Sequence, residues 1–188
     1  SCNMTLALRL AGSTNTGSAR LVYFMGGVDN WIADKFNRDM SVDPTQDYAY
    51  QTLATNMRGF KQNIRSGNSF VVFNSELRIP IVQLIVGHKV GWNLLNSLQI
   101  NLFGDVGTAW TGLTPYSENN CLYTRYIDSG PIHAEVKRQV DPWVGGFGIG
   151  ARISVLGYFL RFDYAWGVED MAISNKKGMF MFSLGTDF

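Results

Sequence analysis

The sequence predicts an all-β protein whose antiparallel strands cross a membrane as part of a barrel, and three observations carry that prediction. Apolar and polar side chains alternate with a strand's period of two through several segments. Hydrophobic residues make up 46% and aromatic residues 13% of the 188 positions. Mean hydropathy is nevertheless close to zero, at −0.03, because the apolar residues are interleaved with polar ones, as a strand between lipid and a wet interior requires. Thirdly, connections of unequal length alternate along the chain, so that the longer ones gather at one end of the strands, an asymmetry shared by outer-membrane barrels.

About seven strands follow in order. Asn3 to Ala11 alternates Met4, Leu6, Leu8 and Leu10 against Thr5, Ala7 and Arg9. A turn rich in Gly, Ser, Thr and Asn, Gly12 to Ser18, leads to a second strand, Arg20 to Gly27. A long loop, 28–67, comes next. In Ser69 to Pro80, Asn74, Glu76 and Arg78 share one face and Val71, Phe73, Leu77 and Ile79 the other. The link from Ile81 to Leu95 has room for a short helix or a turn. From Asn96 to Trp110 the phase swaps, with Leu98, Ile100 and Leu102 opposed to Gln99, Asn101 and Asp105, and Phe103 is an apolar intruder on the polar face. A second long loop, 111–142, precedes Trp143 to Val155 and Gly157 to Gly167, which a tight turn joins as a hairpin. Gly178 to Phe188 is the last strand.

The parity places Glu76 and Asp105 on the same side of paired strands. Arg58, in the polar loop sequence Met57-Arg58-Gly59-Phe60, is the matching cation. An arginine facing two inward acids predicts a loop pinned inside a barrel, since a guanidinium offers carboxylates a fork of donors and stays charged.

Several function classes are excluded or disfavoured. No run approaches the roughly eighteen apolar residues of a spanning helix; Ile79 to Val86 is interrupted by Pro80 and Gln83. A net charge of +1 and a pI near 7.7 leave no basic footprint for nucleic acid. His88 and His133 lack ligand-spaced partners, so no metal or other cofactor is expected. No Ser, Asp and His arrangement for acyl transfer assembles, and the chain is read as non-enzymatic. Gly145, Gly146, Gly148 and Gly150 lack the Lys-Ser/Thr pair and following helix of a phosphate loop. They read instead as sites of barrel curvature or of close packing against Phe60. Cys2 and Cys121 can pair in an oxidising compartment or stand as unrelated thiols, and the sequence leaves both open.

An ordered series of motifs carries a family resemblance. It comprises Gly26-Gly27, Met57-Arg58-Gly59-Phe60, Asn74 to Pro80, Phe103 to Trp110, Gly148 to Arg152, Arg161 to Trp166 and the terminal Phe188. Together they resemble the C-terminal barrel half of the bacterial surface antigen family, the outer-membrane insertase superfamily that includes BamA, TamA and the two-partner secretion transporters. The resemblance implies a barrel of about sixteen strands, of which residues 1–188 supply the C-terminal part, with further strands and periplasmic domains preceding it. It implies that loop 28–67 is extracellular and folds back into the lumen, where Arg58 meets Glu76 and Asp105, while Gly59 and Phe60 serve as turn and packing anchor.

It also implies a C-terminal assembly signal and seam at Phe182, Gly185 and Phe188, the glycine letting the last strand bend. The chain would lie in the outer membrane of a Gram-negative cell and help insert or translocate other proteins through that seam. Its partners would be outer-membrane lipid, client outer-membrane or secreted proteins, and accessory periplasmic or lipoprotein subunits. Trp110, Trp143, Tyr158, Tyr164 and Trp166 would suit interfacial girdles. Other readings of the same residues are a two-partner secretion pore, a barrel anchoring a fused N-terminal domain, and a soluble lipocalin-like carrier. Glu76 with Arg78, and Arg161 with Asp163, also read as a ladder of ion pairs that solvates an interior.

Overall fold

The computed structural model describes residues 4–40, 42, 47–54, 56–87, 91, 93–117, 120, 122–129, 132–155 and 157–185. Cys2, Cys121, His88 and Phe188 lie outside the described residues, and with them the cysteine pairing and the terminal aromatic.

Among the described residues the chain is mostly antiparallel β-sheet with two short helices. In order, the elements are β1 (Thr5–Thr14), β2 (Arg20–Met25), β3 (Tyr48–Ala54), β4 (Arg65–Gly67), β5 (Ser69–Ile79), α1 (Ile81–Val86), α2 (Asn93–Asn96) and β6 (Gln99–Trp110). They continue with β7 (Leu122–Ser129), β8 (Ile132–Gln139), β9 (Val144–Val155), β10 (Tyr158–Glu169), β11 (Ala172–Ile173) and β12 (Met179–Gly185).

The principal sheet has the order β1-β5-β6-β9-β10-β11, with β12 also paired to β10. Because β9 runs along one edge of β10, the short β11 and then β12 share the other. Among the described residues the sheet is open, with β1 and β12 as its outer strands. The two longest connections, 15–68 and 111–143, leave from the same end of this sheet, where Thr14, Ser69, Trp110 and Val144 stand.

The register fixes two faces. Glu76 is opposite Ala7 and Phe103, Asn74 is opposite Arg9 and Asp105, and Asp105 is opposite Gly146. Directly paired residues point the same way, so the polar residues of successive strands gather on one face. That face is the buried one: Asn74, Glu76, Asn101, Asp105, Arg152, Asp163 and Ser183 are all inaccessible. The other face is apolar and open, with Leu8, Leu10, Phe73, Leu102, Val106, Phe147, Ile149, Phe162, Phe180 and Leu184 exposed. Phe182 stacks on Phe162 at 4.7 Å between ring centroids, and Phe147 on Trp166 at 5.8 Å. A water-soluble sheet does the reverse, burying its apolar face.

Three expectations need correction. Residues 20–27 do not form a wall strand. β1 continues through Gly12 to Thr14, where a turn was expected, and pairs directly with β5. β2 instead joins a separate three-stranded sheet, parallel to β3 and antiparallel to β4. The reason is visible in its composition: Leu21, Val22, Tyr23, Phe24 and Met25 are a continuous apolar run, suited to burial on both faces. The inserted loop is therefore 15–68, a folded unit whose Tyr23, Met25, Ala54, Met57, Phe60 and Ile64 pack on wall residues Val72, Ala109 and Val144. The segment 111–142 is also not only loop, since β7 and β8 form an eight-pair hairpin within it.

Candidate functional site

The inserted unit is tied to the polar face by Arg58, which is 1% exposed. A chain reversal at Gly59, whose φ is +90°, directs Arg58 toward β5 and β6 and Phe60 toward β10. An added Cβ at Gly59 would lie 2.6 Å from the backbone of Trp166 and Gly167, so position 59 requires glycine both for its dihedral and for its closeness to the wall. The ring of Phe60 occupies the space that a side chain at Gly167 would fill.

Arg58 uses its whole fork. Nε and Nη2 donate to Oδ2 and Oδ1 of Asp105 at 2.7 and 2.8 Å, and Nη1 donates to Oε2 of Glu76 at 2.9 Å. The Arg58 backbone N–H adds a 3.2 Å bond to the same Asp105 carboxylate. Asn74 Nδ2 donates to Asp105 Oδ1 at 2.8 Å, giving this buried acid four donors. The guanidinium carbon lies 3.6 Å from the centroid of the Phe103 ring. The apolar intruder on the polar face is thus the platform beneath the cation, a contact that gains strength where water is excluded.

Burial opposes the Arg58 charge. The hydrogen bond and charge of Asp105, with the charges of Asp163 and Glu76, outweigh it and hold the guanidinium above its ordinary pKa. Around Glu76 stand Arg78 Nε at 2.9 Å, Arg161 Nη2 at 3.6 Å and Arg152 Nη1 at 3.9 Å. Arg161 also reaches Asp163 at 3.7 Å. The acids and arginines form one network, with Arg78 and Arg161 partly exposed at its margin, in which Arg58 is the member supplied by the loop.

The glycine-rich strand β9 makes the approach possible. A Cβ at Gly146 would lie 2.0 Å from the Arg58 carbonyl oxygen, and one at Gly148 would lie 2.7 Å from the Phe103 ring. At Gly150 it would meet Asp163 Oδ1 at 2.0 Å. Close packing is present, as expected from the sequence, but these glycines make room for Arg58, Phe103 and Asp163. Phe60 is accommodated by Gly167 on β10 instead.

A second anchor was not visible in the sequence. Arg65 is 0% exposed and holds the far end of the inserted unit. Its Nη1 meets Glu169 at 2.7 Å, while Nε and Nη2 donate to the Asp141 carbonyl at 3.1 and 2.5 Å. Main-chain acceptors leave no mark in sequence, and Glu169 lies more than a hundred residues away.

Of the remaining predicted residues, Phe182 and Gly185 are on β12, apart from Arg58 and its acids. Phe182 faces the apolar side beside Phe162, and Gly185 opposes Phe159. Trp143, Tyr158 and Tyr164 are exposed, and Trp110 and Trp166 partly so. Among the described residues no group of His, Cys, Asp and Glu is arranged to hold a metal ion. In comparisons with known proteins, the chain matches no family model, no curated protein and no solved structure.

Proposed function

We propose that this chain is part of an outer-membrane β-barrel of the surface antigen type, a non-enzymatic protein that helps insert or translocate other proteins. The single observation that carries this reading is the inverted sheet. Its charged and amide side chains are buried under a loop and its Leu, Phe and Val side chains are exposed, as lipid outside and a polar lumen inside demand. A soluble carrier with an apolar ligand cavity would orient the same strands the opposite way. The pinned loop supports the reading, because a buried arginine fork holds 15–68 against the polar face of the sheet. Gathering of the two longest connections at one end fits extracellular loops, with the tight turn at Gly157 on the periplasmic side. Phe182 and Gly185 then lie on the strand that borders the seam.

The test uses the full-length protein reconstituted in phosphatidylethanolamine and phosphatidylglycerol vesicles. An unfolded eight-stranded outer-membrane barrel is added, and its insertion is read from the mobility shift of unheated samples on electrophoresis. Insertion at least tenfold faster than into empty vesicles is expected. Equal rates would remove the insertion reading.

A further inference from the structure

We infer that residues 30–32 serve as an intrachain substitute strand on the edge of β12, which a strand pairing at that edge must displace. β10 occupies one edge of β12 from Phe159 to Ala165. On the other edge, Ile32 N–H donates to the Phe182 carbonyl at 2.8 Å, and Trp31 and Ser183 form an antiparallel bridge. By the strand's period of two, the backbone groups of Phe180 and Leu184 point to the same edge as that carbonyl. Gly185 continues the contact: a Cβ there would lie 3.1 Å from Asn30 Nδ2.

The segment is followed directly by one unfavourable backbone position, at Ala33. Asn30 has φ +51° and Ala33 has φ +62°, so Trp31 and Ile32 sit between two left-handed positions, and alanine adopts that region only when its surroundings impose it. The Trp31 ring rests on Gly27, where a Cβ would lie 3.1 Å from it. The carbonyl of Gly27 in turn accepts the N–H of Met57 at 3.0 Å, and Met57 directly precedes Arg58. A short path of two backbone hydrogen bonds and the Trp31 ring therefore joins the β12 edge to the arginine anchor. The occupant that fits in place of residues 30–32 is an amphipathic strand. It would donate an N–H to the Phe182 carbonyl and set its apolar side chains beside Phe180, Phe182 and Leu184. That this competing strand belongs to a client rests on the proposed function, whereas the contact itself rests on the geometry.

The experiment places Trp31→Cys and Ser183→Cys in full-length protein carrying Cys2→Ser and Cys121→Ser, in vesicles. Trp31 and Ser183 form a non-hydrogen-bonded pair, whose Cβ atoms lie close enough for a disulfide. Mild oxidation is expected to give a cross-linked, faster-migrating species in more than half of the molecules, and in under a tenth for the control pair Asp34→Cys and Ser183→Cys. Adding the unfolded eight-stranded barrel before the oxidant is expected to lower the yield at least threefold. Yields no greater than the control would overturn the contact, and a yield unchanged by the added barrel would overturn the displacement. A protein that cross-links but inserts clients no faster than empty vesicles would fail the proposed function and keep residues 30–32 on the edge.

Discussion

Arg58→Ala is expected to release the inserted unit from the wall while leaving the principal sheet intact. Its removal leaves Asp105 and Glu76 buried, with Asp105 losing three of its four donors unless the backbone stays in place. Breaking one side of a buried ion pair costs about 3–5 kcal/mol, because the surviving charge is desolvated and uncompensated. Arg78, Arg152 and Arg161 near Glu76 soften that loss at one acid and not at Asp105. The readout is tryptic cleavage at the exposed Lys35, Arg38 and Lys61 of the protein reconstituted in vesicles. Where cleavage follows local opening, the rate should rise about a hundredfold or more. Arg58→Lys keeps the charge and loses the two-pronged contact with Asp105, so it should fall between wild type and Arg58→Ala. Asp105→Asn should open the loop by a smaller factor. If the cleavage rate of Arg58→Ala equals that of wild type, the arginine does not hold the loop.

Gly146→Val should produce the same release without altering a charge. The added Cβ would be placed 2.0 Å from the Arg58 carbonyl oxygen, and β9 is fixed by its ladders to β6 and β10. No rotamer change relieves a clash between a Cβ and a backbone oxygen, so the loop must withdraw. Overpacking of this kind costs about 1–3 kcal/mol or more, which predicts cleavage at Lys35, Arg38 and Lys61 about fivefold faster or more. The adjacent Gly145 is the control. It points to the opposite face and a Cβ there would have no neighbour closer than 3.7 Å, so Gly145→Ala should leave the loop as protected as in wild type. Equal effects at the two positions would mean that strand propensity, and not the passage made for Arg58, governs the result.

How much could be read in advance depended on whether the signal was local. The face shared by Glu76 and Asp105 follows from a period of two, and the pairing of Asn74 with Asp105 and Glu76 with Phe103 adds only the in-order pairing of β5 and β6. Phe103 was marked by breaking the pattern, and its meaning came only with the ring under Arg58. β2 was recognisable as a strand, but which strands it joins depends on partners nearly thirty or more residues away, at Tyr48–Ala54 and Arg65–Gly67. Alternation does not choose between them, although its unbroken apolar run from Leu21 to Met25 signals burial on both faces. Arg65 binds a main-chain carbonyl, and residues 30–32 reach β12 through backbone groups. Neither interaction selects side chains that a sequence pattern could reveal.

The proposed function requires a sheet with lipid on one side and a loop-filled lumen on the other. A cysteine scan along Gln99–Trp110, each position carrying a nitroxide label in the reconstituted protein, tests it most directly. Collision with oxygen, which concentrates in lipid, should peak at positions 100, 102, 104 and 106, and collision with a water-soluble nickel complex should stay low there. Oxygen collision should fall at 99 and 101, giving a period of two, with nickel collision rising at the partly exposed position 99. High nickel accessibility on both faces, without alternation in oxygen accessibility, would contradict the account.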